Sequence, residues 1–169
     1  MEEVVIWRFS DGRPGHDTQS LGLLRALAAR RPVAEFRIDV RERTRPIGWW
    51  LGGRYPPGRE LSAPAVLLGA GRTTHWHLLA ARRCYGGRSI VLMKPGLPRS
   101  WFDLCIVPEH DGAGPVDNQL LTRGVLNTAR PGGCHDSDIG LIALGGASRH
   151  HDWNDDDMLR QLERLVQER

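Results

Sequence analysis

What the 169-residue sequence has little of narrows its chemistry before any motif is read. It carries no uninterrupted apolar run near the roughly 18 residues that a membrane-spanning helix needs. Its first apolar run, residues 4–7, is short and follows Glu2 and Glu3, where a secretory signal would show positive charge and a longer apolar core. Its three cysteines, Cys84, Cys105 and Cys134, are odd in number, widely spaced and contain no Cys-x-x-Cys pair, which indicates neither a disulfide framework nor a zinc site. Reduced thiols in a cytoplasm are the expectation.

Lysine is almost missing. Of 23 basic residues only Lys94 is lysine, and this skew looks like coding bias rather than a nucleic-acid footprint. The formal net charge of +3 is too small and too dispersed to predict a DNA or RNA partner. The hydrophobic fraction of 40% and the charged fraction of 25% lie in the range of folded globular chains, and the length suits one full domain.

Several motifs are absent as well. There is no Gly-Lys-Ser or Gly-Lys-Thr phosphate loop, no dinucleotide glycine fingerprint after the first strand, and no Gly-x-Ser-x-Gly elbow around a serine. No Tyr-x-x-x-Lys pair exists, because neither Tyr55 nor Tyr85 stands four residues before Lys94. His75 and His77 fall two apart on a predicted helix and point to different faces. His150 and His151 are adjacent, and no third ligand completes either pair, so no bound metal and no cofactor are predicted.

What is present reads as alternating strands and helices. Residues 4–9 form an apolar run closed by Ser10-Asp11-Gly12-Arg13-Pro14-Gly15, after which Leu21, Leu24, Leu27 and Ala28 recur at helical spacing. Residues 33–40 alternate, with Phe36, Ile38 and Val40 on one face. Residues 65–68 run into Gly69-Ala70-Gly71, and Thr73 and Thr74 are placed to cap a helix over 75–85. Residues 90–93, 104–107, 120–122 and 139–144 are further short β-type runs. A final amphipathic helix passes through Met158, Leu159, Leu162, Leu165 and Val166, capped by Asn154 or Asp155. Residues 41–64 are the least regular and suit a loop with a short helix.

Near-continuous apolar strands alternating with helices predict an α/β fold: a Rossmann-like, mostly parallel sheet with helices on both faces. Ligands of such sheets lie beyond the carboxyl ends of the strands. Four loops stand there: Asp11 to His16, Gly69 to Arg72, Pro108 to Asp111 and Gly145 to His150. In the first, Gly12 and Gly15 let backbone amides approach a phosphate at a helix start, Arg13 adds a cation, Asp11 a carboxylate, and His16 is a candidate general base. The same loop also suits an ordinary strand-to-helix turn with His16 as a cap. In the second, Gly71, Arg72 and Thr73 repeat the design with a guanidinium that can grip phosphate oxygens, or form a glycine turn with a threonine cap. Glu109 and His110 suit acid-base work or sugar recognition, or a solvated loop. Arg41, Arg43 and Arg45 before Trp49 and Trp50 suit peripheral contact with an anionic membrane; a tryptophan pair packed on its own domain is the competing and favoured explanation.

Six blocks taken in order resemble the mitochondrial-fission Elm family: residues 11–23 (DGRPGHDTQSLGL), Gly71-Arg72-Thr73, residues 97–104, Val107-Pro108-Glu109-His110-Asp111, Thr122-Arg123-Gly124, and Gly145-Gly146-Ala147-Ser148-Arg149-His150. That family is named for a plant protein affecting mitochondrial shape; most members are bacterial and many have been labelled nucleoside-diphosphate-sugar epimerases. The resemblance implies a relation to twin-Rossmann (GT-B type) glycosyltransferases, in which the N-terminal domain holds the acceptor and the C-terminal domain most of the sugar nucleotide. It implies that Gly12, Gly15 and His16 belong to the acceptor-side loop, with Arg123 a further ligand-binding candidate. Gly145, Gly146 and Ser148, flanked by Arg149 and His150, would open the second domain. Family chains are about twice this length, so the expectation is an N-terminal domain over 1–134 and the first strand and helix of a second over 135–169, incomplete as an enzyme. The implied partners are a sugar nucleotide or lipid-linked glycan, with the final helix free to meet a protein or a second copy. The implied location is cytoplasmic, at most peripheral to the inner membrane. The alternatives left open are a non-catalytic interaction module and, less favoured, an epimerase.

Overall fold

Six of the apolar runs pair edge to edge, and every pairing is parallel. The computed structural model describes residues 2–40, 46–111, 117–130, 132, 136, 138–144 and 153–167. In chain order these contain β1 (Val4–Ser10), α1 (Pro14–Ala28), β2 (Val33–Asp39), α2 (Pro46–Leu51), β3 (Val66–Ala70), α3 (His75–Tyr85), β4 (Arg88–Leu92), β5 (Leu104–Pro108), β6 (Gln119–Thr122) and α4 (Asp155–Gln167). Short 3-10 turns lie at Pro56–Gly58, Arg72–Thr74, Arg99–Trp101 and Glu109–Asp111. The chain divides into two units, Met1–Arg130 and Pro131–Arg169.

The first unit holds the whole sheet, in the order β2-β1-β3-β4-β5-β6. Two-residue alternation sends successive side chains of each strand to opposite faces. Ile6, Leu68, Leu92 and Ile106 pack with Leu24 of α1 on one face, and Trp7, Leu67, Val91, Cys105 and Val107 pack with Leu78 to Ala81 of α3 on the other. The inner strands β3 and β5 are covered on both faces and are apolar almost throughout, whereas the edge strand β2 alternates and carries Glu35, Arg37 and Asp39. The α/β expectation is met, with all strands parallel.

The chain leaves β1 toward β2, then returns past β1 to lay down β3 and the remaining strands on its other side. Loops after β1 and β3 therefore diverge, and a crevice opens between them at the carboxyl edge of the sheet.

Asp103, just before β5, ties the far side together. Its Oδ2 accepts from the Ser89 amide (2.8 Å) and hydroxyl (2.7 Å), and its Oδ1 from Arg82 (2.9 Å) and Arg88 (3.3 Å). Burial alone would raise its pKa, but these bonds and the Arg82 charge outweigh burial and hold the carboxyl below its ordinary value. Asp103→Asn keeps the shape and removes the charge. It should cost about 2 kcal/mol in urea unfolding at pH 7, since hydrogen bonds to ionised groups contribute about 1.5–3 kcal/mol.

Two expectations are corrected. Thr74 stands at the N-cap position of α3 but neither threonine makes a side-chain capping bond: a 3-10 turn comes first, the Thr74 hydroxyl donates back to the Gly71 carbonyl (2.8 Å) and the Thr73 hydroxyl donates to Asp11 (3.0 Å). Residues 139–144 are not a strand. Ile139, Leu141, Ile142 and Leu144 are exposed, and no strand is described in the second unit to satisfy their backbone groups. In that unit α4 forms as read, with the Asn154 side chain accepting the Asp157 amide (3.1 Å), three aspartates in the first turn and Arg164 in the last.

Candidate functional site

The site begins where β1 ends. Gly12 takes a left-handed turn (φ 75°), Arg13 stays extended, and Pro14 opens α1 at a position where its missing amide costs nothing. The Arg13 side chain makes no capping bond, and α1 presents its N-terminal turn to the crevice.

That turn folds the Asp11 carboxylate back under His16. Asp11 Oδ2 lies 2.8 Å from His16 Nδ1 and accepts from the Thr73 hydroxyl at 3.0 Å, while Oδ1 accepts from the Arg13 amide at 3.1 Å. The Asp11 side chain is 4% exposed. Burial by itself would raise its pKa, yet the bonds from His16, the Arg13 amide and Thr73 prevail and hold it below the ordinary value. An ionised carboxylate only accepts, so Nδ1 of His16 carries the proton of this bond. In the neutral imidazole Nε2 is then the free lone pair, the arrangement a general base requires.

Gly71 makes room for the ring. It sits at φ 83°, ψ 158°, and a Cβ there would stand 2.5 Å from His16 Nδ1 and closer still to Cε1. The second glycine loop therefore holds the histidine of the first.

A cleft of about 640 Å³ opens over this pair. Arg13 and His16 line it from the β1 loop, Gly71, Arg72 and Thr73 from the β3 loop, Met93, Lys94 and Pro95 from the β4 loop, and Asp111 from beyond β5. Arg72 lies along Gly96, where a Cβ would come within 3.1 Å of its side chain. Lys94 Nζ donates to the Asp111 carbonyl at 3.4 Å. Met93 has φ 71°, the one positive value at a non-glycine among the described residues; such strain is typical of functional loops. Arg13, Arg72 and Lys94 line the cleft against one lining carboxylate, Asp111, with Asp11 buried beneath and 3.9 Å from Arg13, a net positive balance that suits anions.

Other predicted site residues fall elsewhere. Glu109 and His110 are exposed on the turn after β5, where their neighbour Asp111 is the lining residue. Arg123 is exposed beyond β6 and does not line the cleft. Gly145, Gly146, Ser148, Arg149 and His150 lie outside the described residues. The sequence reading missed Met93, Lys94 and Pro95 as cleft residues. The signal available was the only lysine in an arginine-rich chain, placed directly after a strand.

His75 and His77 are separated as their spacing implied: His75 packs against Phe102 (5.3 Å between ring centres), and His77 Nδ1 meets the Tyr55 hydroxyl at 3.0 Å. Among the described residues no group of three candidate metal ligands forms, and no helix is long and apolar enough to cross a membrane.

Fold and cleft together define a Rossmann-like α/β protein with an anion-favouring site and a carboxylate-oriented histidine at the switch point of its sheet. The chain belongs to the mitochondrial fission ELM1 family, whose sequence model matches residues 14–169. No curated protein and no solved structure matches it.

Proposed function

We propose that the unit Met1–Arg130 binds a phosphorylated glycan precursor, a sugar nucleotide or lipid-linked glycan, as the acceptor-side domain of a glycosyltransferase-like protein. The observation that carries this reading is the cation-lined cleft built around the Asp11–His16 pair. In transfer, His16 Nε2 takes the proton of an acceptor hydroxyl whose oxygen bonds to the anomeric carbon. The bond from that carbon to the donor phosphate breaks, and the phosphate leaves with the electron pair. Asp11 holds the imidazole and stabilises its positive charge. Arg72 and Lys94 neutralise phosphate charge on either side. The donor half implied by the family resemblance is part of this proposal.

Isothermal titration of the full chain with uridine and guanosine sugar nucleotides and with inorganic pyrophosphate tests the reading. Arg72→Ala and Lys94→Ala should each weaken the best ligand about 10- to 100-fold, the scale of a lost charge-assisted hydrogen bond. Gly15→Ala is a sharper probe, because a Cβ there meets nothing within 4 Å. Its thermal stability should be unchanged or raised by a few tenths of a kcal/mol, while phosphate affinity falls as the methyl blocks the helix start. Absence of binding by any of these ligands would sink the proposal.

A further inference from the structure

A second surface on the first unit has a different chemistry. Ile47, Trp50 and Leu51 stand three and four residues apart on α2 and so share a stripe; Ile47 is 48% and Leu51 66% exposed. Trp50 stacks on the exposed Trp101 at an interplanar angle of 11°, and Trp76 meets both rings edge-on at 5.6 and 5.9 Å. The Arg83 guanidinium lies 5.4 Å over Trp50, and Arg54 flanks the end of α2 beside Gly52. Trp49 packs on Tyr55 and His77, and both Trp49 and Trp50 are half-buried against the core, as the favoured packing explanation expects, while Trp50 also joins the exposed Trp101.

The charge around this platform is one-sided. Arg83 and Arg54 flank Trp50 and α2, Arg99 opens the turn that carries Trp101, and α2, α3 and the turn Arg99–Trp101 contain no acid; Arg82, which donates to the Trp101 carbonyl, is paired with Asp103. Indole rings favour the boundary between water and hydrocarbon, arginines bind anionic headgroups, and exposed Ile and Leu gain by leaving water. A nucleic acid would stack on the tryptophans but leave Ile47 and Leu51 in water. A second copy of the chain would bring two positive segments together.

We propose that α2, the first turn of α3 and the turn Arg99–Trp101 form a docking surface for an anionic lipid bilayer. The surface is distinct from the cleft, and vesicle binding needs neither His16 nor Arg72. The test is co-sedimentation of the full chain with vesicles of phosphatidylglycerol and phosphatidylcholine mixed, against phosphatidylcholine alone, with tryptophan emission recorded in parallel. Expected are binding to the anionic vesicles at least tenfold tighter than to neutral ones, a blue-shifted emission, and loss of tenfold or more in Ile47→Asp and Leu51→Asp with unchanged thermal unfolding. His16→Ala should bind vesicles like the parent, which separates this outcome from failure of the cleft reading. The proposal is overturned by equal binding to both vesicle types, by none to either, or by undiminished binding of both Asp variants. It is equally overturned if those variants abolish a self-association or an oligonucleotide complex in a chain that ignores vesicles.

Discussion

Gly71→Ala should disable the cleft without altering any ligand-facing charge. The φ and ψ of Gly71 lie in a region that essentially only glycine occupies, and forcing alanine there costs on the order of 1–3 kcal/mol before any contact is counted. The new methyl would then collide with Nδ1 and Cε1 of His16 and come within 3.3 Å of Asp11 Oδ2. Either the loop after β3 lifts, withdrawing Arg72 and Thr73, or the imidazole swings away and leaves Asp11 buried with one donor fewer. The total expected loss is about 3–5 kcal/mol in denaturant unfolding, with phosphate affinity reduced about 100-fold or more. A double-mutant cycle identifies the cause. His16→Ala removes the ring, so Gly71→Ala should cost at least about 1 kcal/mol less in that background, leaving backbone strain alone. Additive losses would show that the glycine does not act through His16.

The paired residues explain what the sequence did and did not disclose. Alternation in β1, with Ile6 and Arg8 toward α1 and Trp7 and Phe9 toward α3, needs only a strand covered on both faces, so the sheet was readable run by run. The cleft loops were readable because glycine and charge gather where strands end. The Asp11–Thr73 bond was not, because 62 residues separate its partners and only the adjacency of β1 and β3 brings them together. Lys94 was overlooked because its weight depends on β4 ending at Leu92 and on Met93 turning the chain through a left-handed step that methionine does not advertise. Residues 139–144 were misread for the converse reason: an apolar run becomes a strand only where a neighbour accepts its backbone, and pattern alone does not supply one.

Acid should destabilise the first unit well above the range in which Asp11 and Asp103 lose their charge. His75 is 2% and His77 3% exposed, and burial lowers both to about 4; the neighbouring Arg72 charge adds to the effect at His75. His77 meets the Tyr55 hydroxyl and the Trp49 ring, and His75 the Phe102 ring, so both imidazoles stand among aromatic side chains in the core. Both folded values lie below the ordinary 6.5 of the unfolded chain. As pH falls through about 6.5 the unfolded state takes up protons that the folded state refuses, so stability is full above that value and drains until about 4. Two such groups remove up to about 2.5 kcal/mol per pH unit, on the order of 5 kcal/mol across the window. Asp11 and Asp103 act in a separate range: their folded values are depressed, so their contribution persists above 3.8 and is lost only below it. Urea unfolding at pH 7, 6 and 5 should therefore show a steep fall before Asp11 or Asp103 is involved. His77→Gln keeps a polar partner for Tyr55 and cannot be protonated. It should be less stable at pH 7 but lose stability with acid at about half the parent's slope, and an unchanged slope would mean that His77 is not one of the groups taking up the proton.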